Sequence, residues 1–186
     1  MTSFIMKIWM SIIGIHLSKG FRCKGLFLIM KKTSSTIEIG ENFRVKSSMF
    51  SNLLGLYQRT IIIARDNGKI MIGNNVGVSG STIHGTNITI GDYVAIGANT
   101  KIIDHDFHSL DYIERRTDDQ THAKSKAVVI GNDVFIGCNS IILKGTTIGD
   151  RSVVGAGSVV SGSFPSDVII CGNPARIVKK LTMKES

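Results

Sequence analysis

Proline is nearly absent from this chain of 186 residues, which carries two prolines against 20 glycines. That balance fits a turn-rich β protein. Cysteine is also scarce. Cys23, Cys138 and Cys171 are odd in number and lack the spacing of a metal site. A disulfide framework is thereby disfavoured, and a reduced, cytoplasmic protein is expected. Cys138 and Cys171 lie among apolar residues and read as buried structural thiols. Long hydrophobic runs are missing too. The uncharged stretch 8–15 is far shorter than the ~20 residues that span a bilayer. Aromatics make up only 6% of the chain, and no nucleic-acid-binding motif occurs. The net charge of +8 therefore directs attention to a phosphate-bearing small molecule rather than to nucleic acid.

What is present is a period. From Ile72 to Val160 an aliphatic residue, usually followed by glycine, recurs every six residues. The register runs Ile72, Val78, His84, Ile90, Ile96, Ile102, then Ile130, Ile136, Ile142, Ile148, Val154, Val160. The position four residues on is small or β-branched in most units, as at Val76, Thr100, Ser140 and Ser158. A six-residue period fits neither an amphipathic helix nor an alternating strand. It is a solenoid period, in which three hexads form one triangular coil and stacked coils bury a continuous aliphatic ladder. The glycine after each aliphatic residue is expected to allow the backbone angles of the bend. His84 occupies an inward slot, so either the register slips there or His84 faces a cleft. The period lapses over about 108–129, an excursion loop of the kind that carries function on a rigid scaffold.

Residues 1–36 differ in texture. Residues 1–32 are apolar, and their side-chain charges are all positive: Lys7, Lys19, Arg22, Lys24, Lys31 and Lys32. No small-residue cleavage site follows, as a signal peptide would require. The segment reads as a cap on the first coil or as a basic amphipathic anchor at the inner membrane face. Residues 37–182 then form the repeat domain, with degenerate coils before residue 72.

Three stretches carry a family resemblance: Asp104-His-Asp-Phe-His-Ser-Leu-Asp-Tyr-Ile-Glu-Arg-Arg116, residues 130–150, and Val153-Val-Gly-Ala-Gly-Ser-Val-Val160 with Cys171-Gly-Asn-Pro-Ala-Arg-Ile-Val-Lys179. Together they resemble the hexapeptide-repeat acyltransferases of left-handed parallel β-helix fold, nearest to the maltose, galactoside and nodulation-factor O-acetyltransferases and the acetyltransferases of polysaccharide biosynthesis. The resemblance implies an all-β fold, acetyl-CoA as donor, no metal, a homotrimer with active sites between subunits, and direct transfer to a hydroxyl.

A hydroxyl needs a base with a pKa near the working pH, and histidine is the natural choice. His108-Ser109-Leu110-Asp111, with Arg115 seven residues after the histidine, matches the family's His-Pro-Leu-Asp element. His108 is the first candidate for the base and His105 the rival. Asp104 or Asp111 would set its tautomer, unless a backbone carbonyl does so. By the same resemblance Phe135 (often Trp), Cys138, Ala156 and Ser161 would line the CoA, with Arg176 and Lys179 on its phosphates. The family's Thr-Lys pair is Ser161-Gly162 here, so a phosphate-binding lysine is missing and Lys144 is a partial substitute. Ser79, His84, Asp104 and Arg115 would shape the acceptor side, with Arg116, Asp118 and Asp119. Ser79 stands where the sugar enzymes have asparagine, which argues against simple transfer of maltose or galactoside specificity.

The expected activity is O-acetylation of a sugar or glycan precursor. Three alternatives remain open at this point. The acceptor could be serine, an antibiotic or an aminosugar. The chain could be a non-catalytic trimeric scaffold. Finally, His105, His108 and His122 could belong to an inter-subunit metal site.

Overall fold

The structure is a computed structural model that describes residues 1–117 and 123–182. Asp118, Asp119 and His122 lie outside the described residues. Short parallel strands wind into a left-handed β-helix, a prism with three faces. The first face stacks Thr36–Ile39, the second halves of the long strands Ile61–Ile72 and Thr82–Ile90, then Val128–Ile130, Thr147–Ile148 and Ser163–Phe164. The second face stacks Arg22–Lys24, Arg44–Lys46, Gly77–Ser79, Ala95–Ile96, Phe135–Ile136, Val153–Val154 and Val168–Gly172. The third stacks Leu28–Lys31, the first halves of the two long strands, Lys101–Ile103, Ile141–Ile142 and Val159–Val160.

Partners on neighbouring coils stand three hexads apart, as in Ile72 with Ile90 and Ile136 with Val154. The inward aliphatic side chains are no more than 3% exposed from Ile72 to Val160. Each such burial is worth ~1.5–3 kcal/mol relative to an exposed side chain. Buried hydroxyls between them are satisfied by the next coil: Thr100 Oγ1 donates to the Gly137 carbonyl at 3.2 Å and Ser140 Oγ to that of Gly155 at 3.1 Å. The ladder thus needs neighbours on both sides, which is why coils do not stand alone.

The structure decides the open question at His84 and corrects three expectations. At His84 the register slips by one residue: Ile83 is the fully buried ladder residue, paired with Ile102, and His84 points outward. The hexad glycines are not the left-handed residues of the bends. At the edge between the first and second faces those residues are Asn75, Tyr93, Asp133 and Arg151, at φ of 56–59°. Glycine is required instead by the closeness of the coils, since a Cβ on Gly97 would lie 2.6 Å from Cys138 N. The excursion leaves the prism after Ile103 and returns at Val128, which is buried and paired with Ile88, so it spans 104–127 rather than 108–129. Its root is pinned by an antiparallel bridge between His105 and Ser125 and by the bond from Lys126 N to Asp104 O at 2.9 Å. Finally, the prism begins before residue 37, because Arg22–Lys24 and Leu28–Lys31 already belong to it.

A second excursion lies outside the hexad pattern. Arg44 pairs with Gly77, so the coil between them is far longer than three hexads. The surplus forms a loop over about 47–59 that climbs the edge between the second and third faces. Its Tyr57 N donates to Asn99 Oδ1 at 3.3 Å, and Asn99 Nδ2 returns a bond to Gly55 O at 3.2 Å.

The N-terminal helix, Thr2–Ile12, closes the first coil. Met6 and Met10, four residues apart on one face, are buried. Ser3 Oγ accepts from Cys23 N at 2.9 Å, and Trp9 Nε1 donates to Ile29 O at 3.3 Å. At the other end Ala175–Lys180 folds back antiparallel on Val168–Gly172 and caps the last coil.

Candidate active site

The larger excursion brings the sequence candidates together in two layers. His105 lies at the root and is only 7% exposed. The Phe107 ring meets it edge-on at 5.4 Å and packs on His84 at 5.0 Å. The Phe107 N–H donates to His105 Nδ1 at 2.7 Å. Burial first, then the Arg65 guanidinium, hold both His84 and His105 below the ordinary value of 6.5.

His108 is exposed at the start of the upper layer. Its turn is braced from within. Arg115 Nη1 donates to Ser109 O at 2.9 Å and to Leu110 O at 2.7 Å. Ser109 Oγ bonds Glu114. Asp111 caps the short helix Tyr112–Arg116 by accepting from Ile113 N at 2.7 Å. Asp111 is thus a helix cap, and Arg115 is a strut of the His108 turn. Lys144 pairs with Asp106 and ties the excursion to the next coils.

Asp104 is corrected as well. It is fully buried, and its carboxylate accepts from Thr86 N at 2.8 Å, Thr86 Oγ1 at 3.1 Å and Asn87 N. It has no surface to offer an acceptor. It caps the edge of the prism, as Asp92 does for Asn74 N at 2.6 Å.

The cofactor candidates occupy other parts of the prism. Cys138 and Ala156 stack at the edge between the second and third faces, where a Cβ on Gly137 would lie 2.5 Å from Ala156 N. Both cysteines expected to be buried, Cys138 and Cys171, are half-buried, and all three thiols are free. Among the described residues the Cys138 N–H makes no hydrogen bond, whereas Gly137 N and Asn139 N donate to Val154 O and Ala98 O, each at 2.8 Å. Arg176 and Lys179 are exposed on the tail, at the C-terminal end of the second face. Ser161 and Lys144 lie near the excursion edge, where the third face turns into the first.

Ser79 and Phe135 share one open groove of about 280 Å³ on the second face. Its remaining lining includes Arg44, Lys46, Gly77 and Ala95. The two cations were missed by sequence reasoning. Their signal was a tandem motif, Phe21-Arg-Cys-Lys24 and Phe43-Arg-Val-Lys46. The excursion edge lies opposite this face of the prism, so one chain separates His108 from the groove.

Among the described residues no group of three His, Cys, Asp or Glu side chains is arranged to hold a metal ion.

Residues 127–162 match the family model described as bacterial transferase hexapeptide (six repeats). The chain is 34% identical over 154 residues to the provisionally named lipopolysaccharide biosynthesis O-acetyl transferase WbbJ of Escherichia coli (strain K12), covering 80% of this chain and 74% of that protein. It is 36% identical over 100 residues to the galactoside O-acetyltransferase of the same strain, covering 53% of this chain and 46% of that enzyme. Among solved structures, the hexapeptide-repeat-containing acetyltransferase of Vibrio cholerae O1 biovar eltor, in complex with acetyl coenzyme A, superposes with a TM-score of 0.57. It is 28% identical, with 96% of this chain and 76% of that one covered.

Proposed function

Because this chain belongs to the hexapeptide-repeat acetyltransferases, we propose that it moves an acetyl group from acetyl-CoA to a hydroxyl of a sugar or glycan precursor. The observation that carries the reading is the excursion. It is the larger of the two breaks in a rigid prism, and it presents an exposed histidine on a turn braced by Arg115. The names of the relatives support this choice of donor and of acceptor class.

His108 is the general base. It removes the acceptor proton as the oxygen attacks the thioester carbonyl. The unpartnered Cys138 N–H is a preorganised donor for the oxyanion. The CoA thiolate leaves and takes up the proton. Phe135, Cys138, Ala156 and Ser161 line the donor, and Arg176 and Lys179 meet its phosphates. The His108 excursion of one subunit reaches the groove of the next in a homotrimer. The support is geometric, since the excursion edge and the groove lie on opposite sides of one prism.

The protein acts in the cytoplasm and touches the inner membrane face through its N-terminal helix. Phe4, Ile8 and Trp9 of that helix are exposed, and Lys7 lies on the same helix. Among the described residues no helix is long and apolar enough to cross a membrane.

The test is thiol release from acetyl-CoA with pooled galactosides, glucosides, aminosugars, nucleotide sugars and serine. Acceptor-dependent release supports the reading. Failure both to bind acetyl-CoA and to release thiol sinks it in favour of a scaffold.

A further inference from the structure

The second face of the prism changes chemistry along its length. Its outward positions run Arg22 and Lys24, Arg44 and Lys46, Gly77 and Ser79, Ala95 and Gly97, then Phe135. Register places Arg22 beside Arg44 and Lys24 beside Lys46. Adjacent strands are ~4.8 Å apart, so four cations form a compact square. Among the described residues no carboxylate pairs with any of them, although other basic residues are paired, such as Lys19 with Glu41 and Lys69 with Glu38. Like charges on neighbouring strands repel, and an anion bound there would relieve that cost.

The square does not stand on an open plain. Arg44 and Lys46 are the basic end of the same groove that holds Ser79 and Phe135. The groove floor is small, being Gly77 and Ala95, and the aromatic ring of Phe135 closes the other end. The buried residues beneath fix the pair of strands. Phe21 and Phe43, each just before its arginine, stack with centroids 6.2 Å apart.

We propose that this square is a subsite for a phosphoryl group carried by the acceptor. The acceptor is then a saccharide linked to phosphate or diphosphate rather than a neutral sugar. This rests on the acetyl-transfer reading above. The cofactor's own phosphates, proposed above to meet Arg176 and Lys179, would lie far from this square. From Arg44–Lys46 to the tail strand Ala175–Lys180 is six strand spacings, ~29 Å at ~4.8 Å each. From Arg44–Lys46 to Phe135 is three spacings, ~14 Å, which suits one short phosphorylated saccharide. Arginine matches phosphate oxygens with two parallel bonds, and lysine adds a point charge.

The experiment is calorimetric titration of inorganic pyrophosphate into the full chain saturated with CoA. The comparison is a chain with Arg44→Gln and Lys46→Gln, and a second with Arg22→Gln and Lys24→Gln. These changes keep polar, exposed side chains, and thermal melting reports that the fold is retained. Pyrophosphate is expected to bind the wild type and to weaken at least tenfold in the first variant, with CoA affinity changed less than twofold. Thiol release then compares a uridine diphosphate hexose, a polyprenyl-pyrophosphoryl hexose and the free hexose. A phosphorylated acceptor is expected to exceed the free hexose at least tenfold in kcat/KM and to lose that advantage in the variant through KM. Which carrier wins distinguishes nucleotide from lipid. Pyrophosphate binding abolished by CoA would make the square part of the cofactor site and overturn the proposal. Unchanged binding in both variants, or a free hexose used equally well, would also overturn it. If acetyl transfer itself is the wrong reading, CoA fails to bind while the pyrophosphate titration still reports on the square.

Discussion

The backbone N–H of Phe107 donates to Nδ1 of His105 at 2.7 Å. A ring nitrogen that accepts a hydrogen bond does not carry the proton, so the neutral form of His105 holds its proton on Nε2. In that tautomer its outer nitrogen donates and cannot act as a base. That tautomer favours His108 over His105 for the base we propose. Replacing His108 with Ala is expected to lower kcat by about 10²–10⁴ with little change in melting temperature. Replacing His105 with Ala is expected to lower the melting temperature, because a buried ring packed on Phe107 is lost. Thiol-release kinetics and thermal melts on both variants check this. Loss of kcat in His105→Ala with unchanged melting would move the base to His105.

The same cluster makes stability depend on pH. Burial and Arg65 hold His84 and His105 below 6.5 in the fold. Asp104 and Asp66 face both rings and oppose the shift, as Asp106 does at His105. The unfolded chain takes up protons near 6.5, before the folded chain does, so acid favours unfolding. The stabilisation is complete above 6.5 and is lost as pH falls through the lower folded values. Denaturant midpoints are expected to decline from pH 7 downward, and His84→Phe is expected to flatten that decline. A wild-type midpoint that stays level from pH 7 to pH 5 would contradict the assignment.

The ladder from Ile72 to Val160 was legible because each inward residue is a large aliphatic at a fixed spacing. The slip at Ile83 was half legible: His84 in an aliphatic slot announced it, but only the pairing with Ile102 says which residue replaces it. The loop over 47–59 was hidden because Val45 and Val78, partners in the structure, are separated in sequence by nearly twice the length of a regular coil. No hexad count bridges that gap. The roles of Asp104 and Asp111 were unreadable for another reason. A carboxylate beside a histidine in sequence looks like its partner, whereas backbone N–H groups from Thr86, Asn87 and Ile113 had the nearer claim.

Asp104 therefore yields a prediction about stability rather than binding. Its removal orphans the N–H groups of Thr86, which is half-buried, and Asn87, which is exposed, beside the fully buried carboxylate. Each buried unsatisfied donor costs roughly 1–3 kcal/mol. Because Asn87 is exposed and water can reach it, Asp104→Ala is expected to lose about 1–3 kcal/mol in urea unfolding. Asp104→Asn, whose amide oxygen still accepts, is expected to lose less. Equal losses for the two would argue that packing rather than hydrogen bonding is at stake.

The N-terminal helix turns Met6 and Met10 inward and leaves Phe4, Ile8 and Trp9 outside. Cations flank it, and no acidic residue precedes Glu38. Co-sedimentation with vesicles containing anionic phospholipid is expected, with little binding to neutral vesicles. Phe4→Ser with Trp9→Ser is expected to lower it several-fold while leaving the buried methionines in place. Binding that ignores both lipid charge and these substitutions would remove the membrane from the account.

Subunit sharing of the site can be tested without any structure of the assembly. If His108 of one chain serves the groove of another, two defective chains can rescue each other. One carries His108→Ala, and the other carries Phe135→Arg, which fills the groove. Each alone is expected to be inactive as a homotrimer. Mixed by co-refolding in equal amounts, random assembly pairs an intact excursion with an intact groove at roughly a quarter of the sites. Specific activity is then expected to recover to about a quarter of wild type. A site made within one chain has no such route, since every chain in the mixture carries one lesion. Zero recovery, with both variants shown to co-assemble by light scattering, would place His108 and the groove in the same subunit and require the excursion to wrap around its own prism.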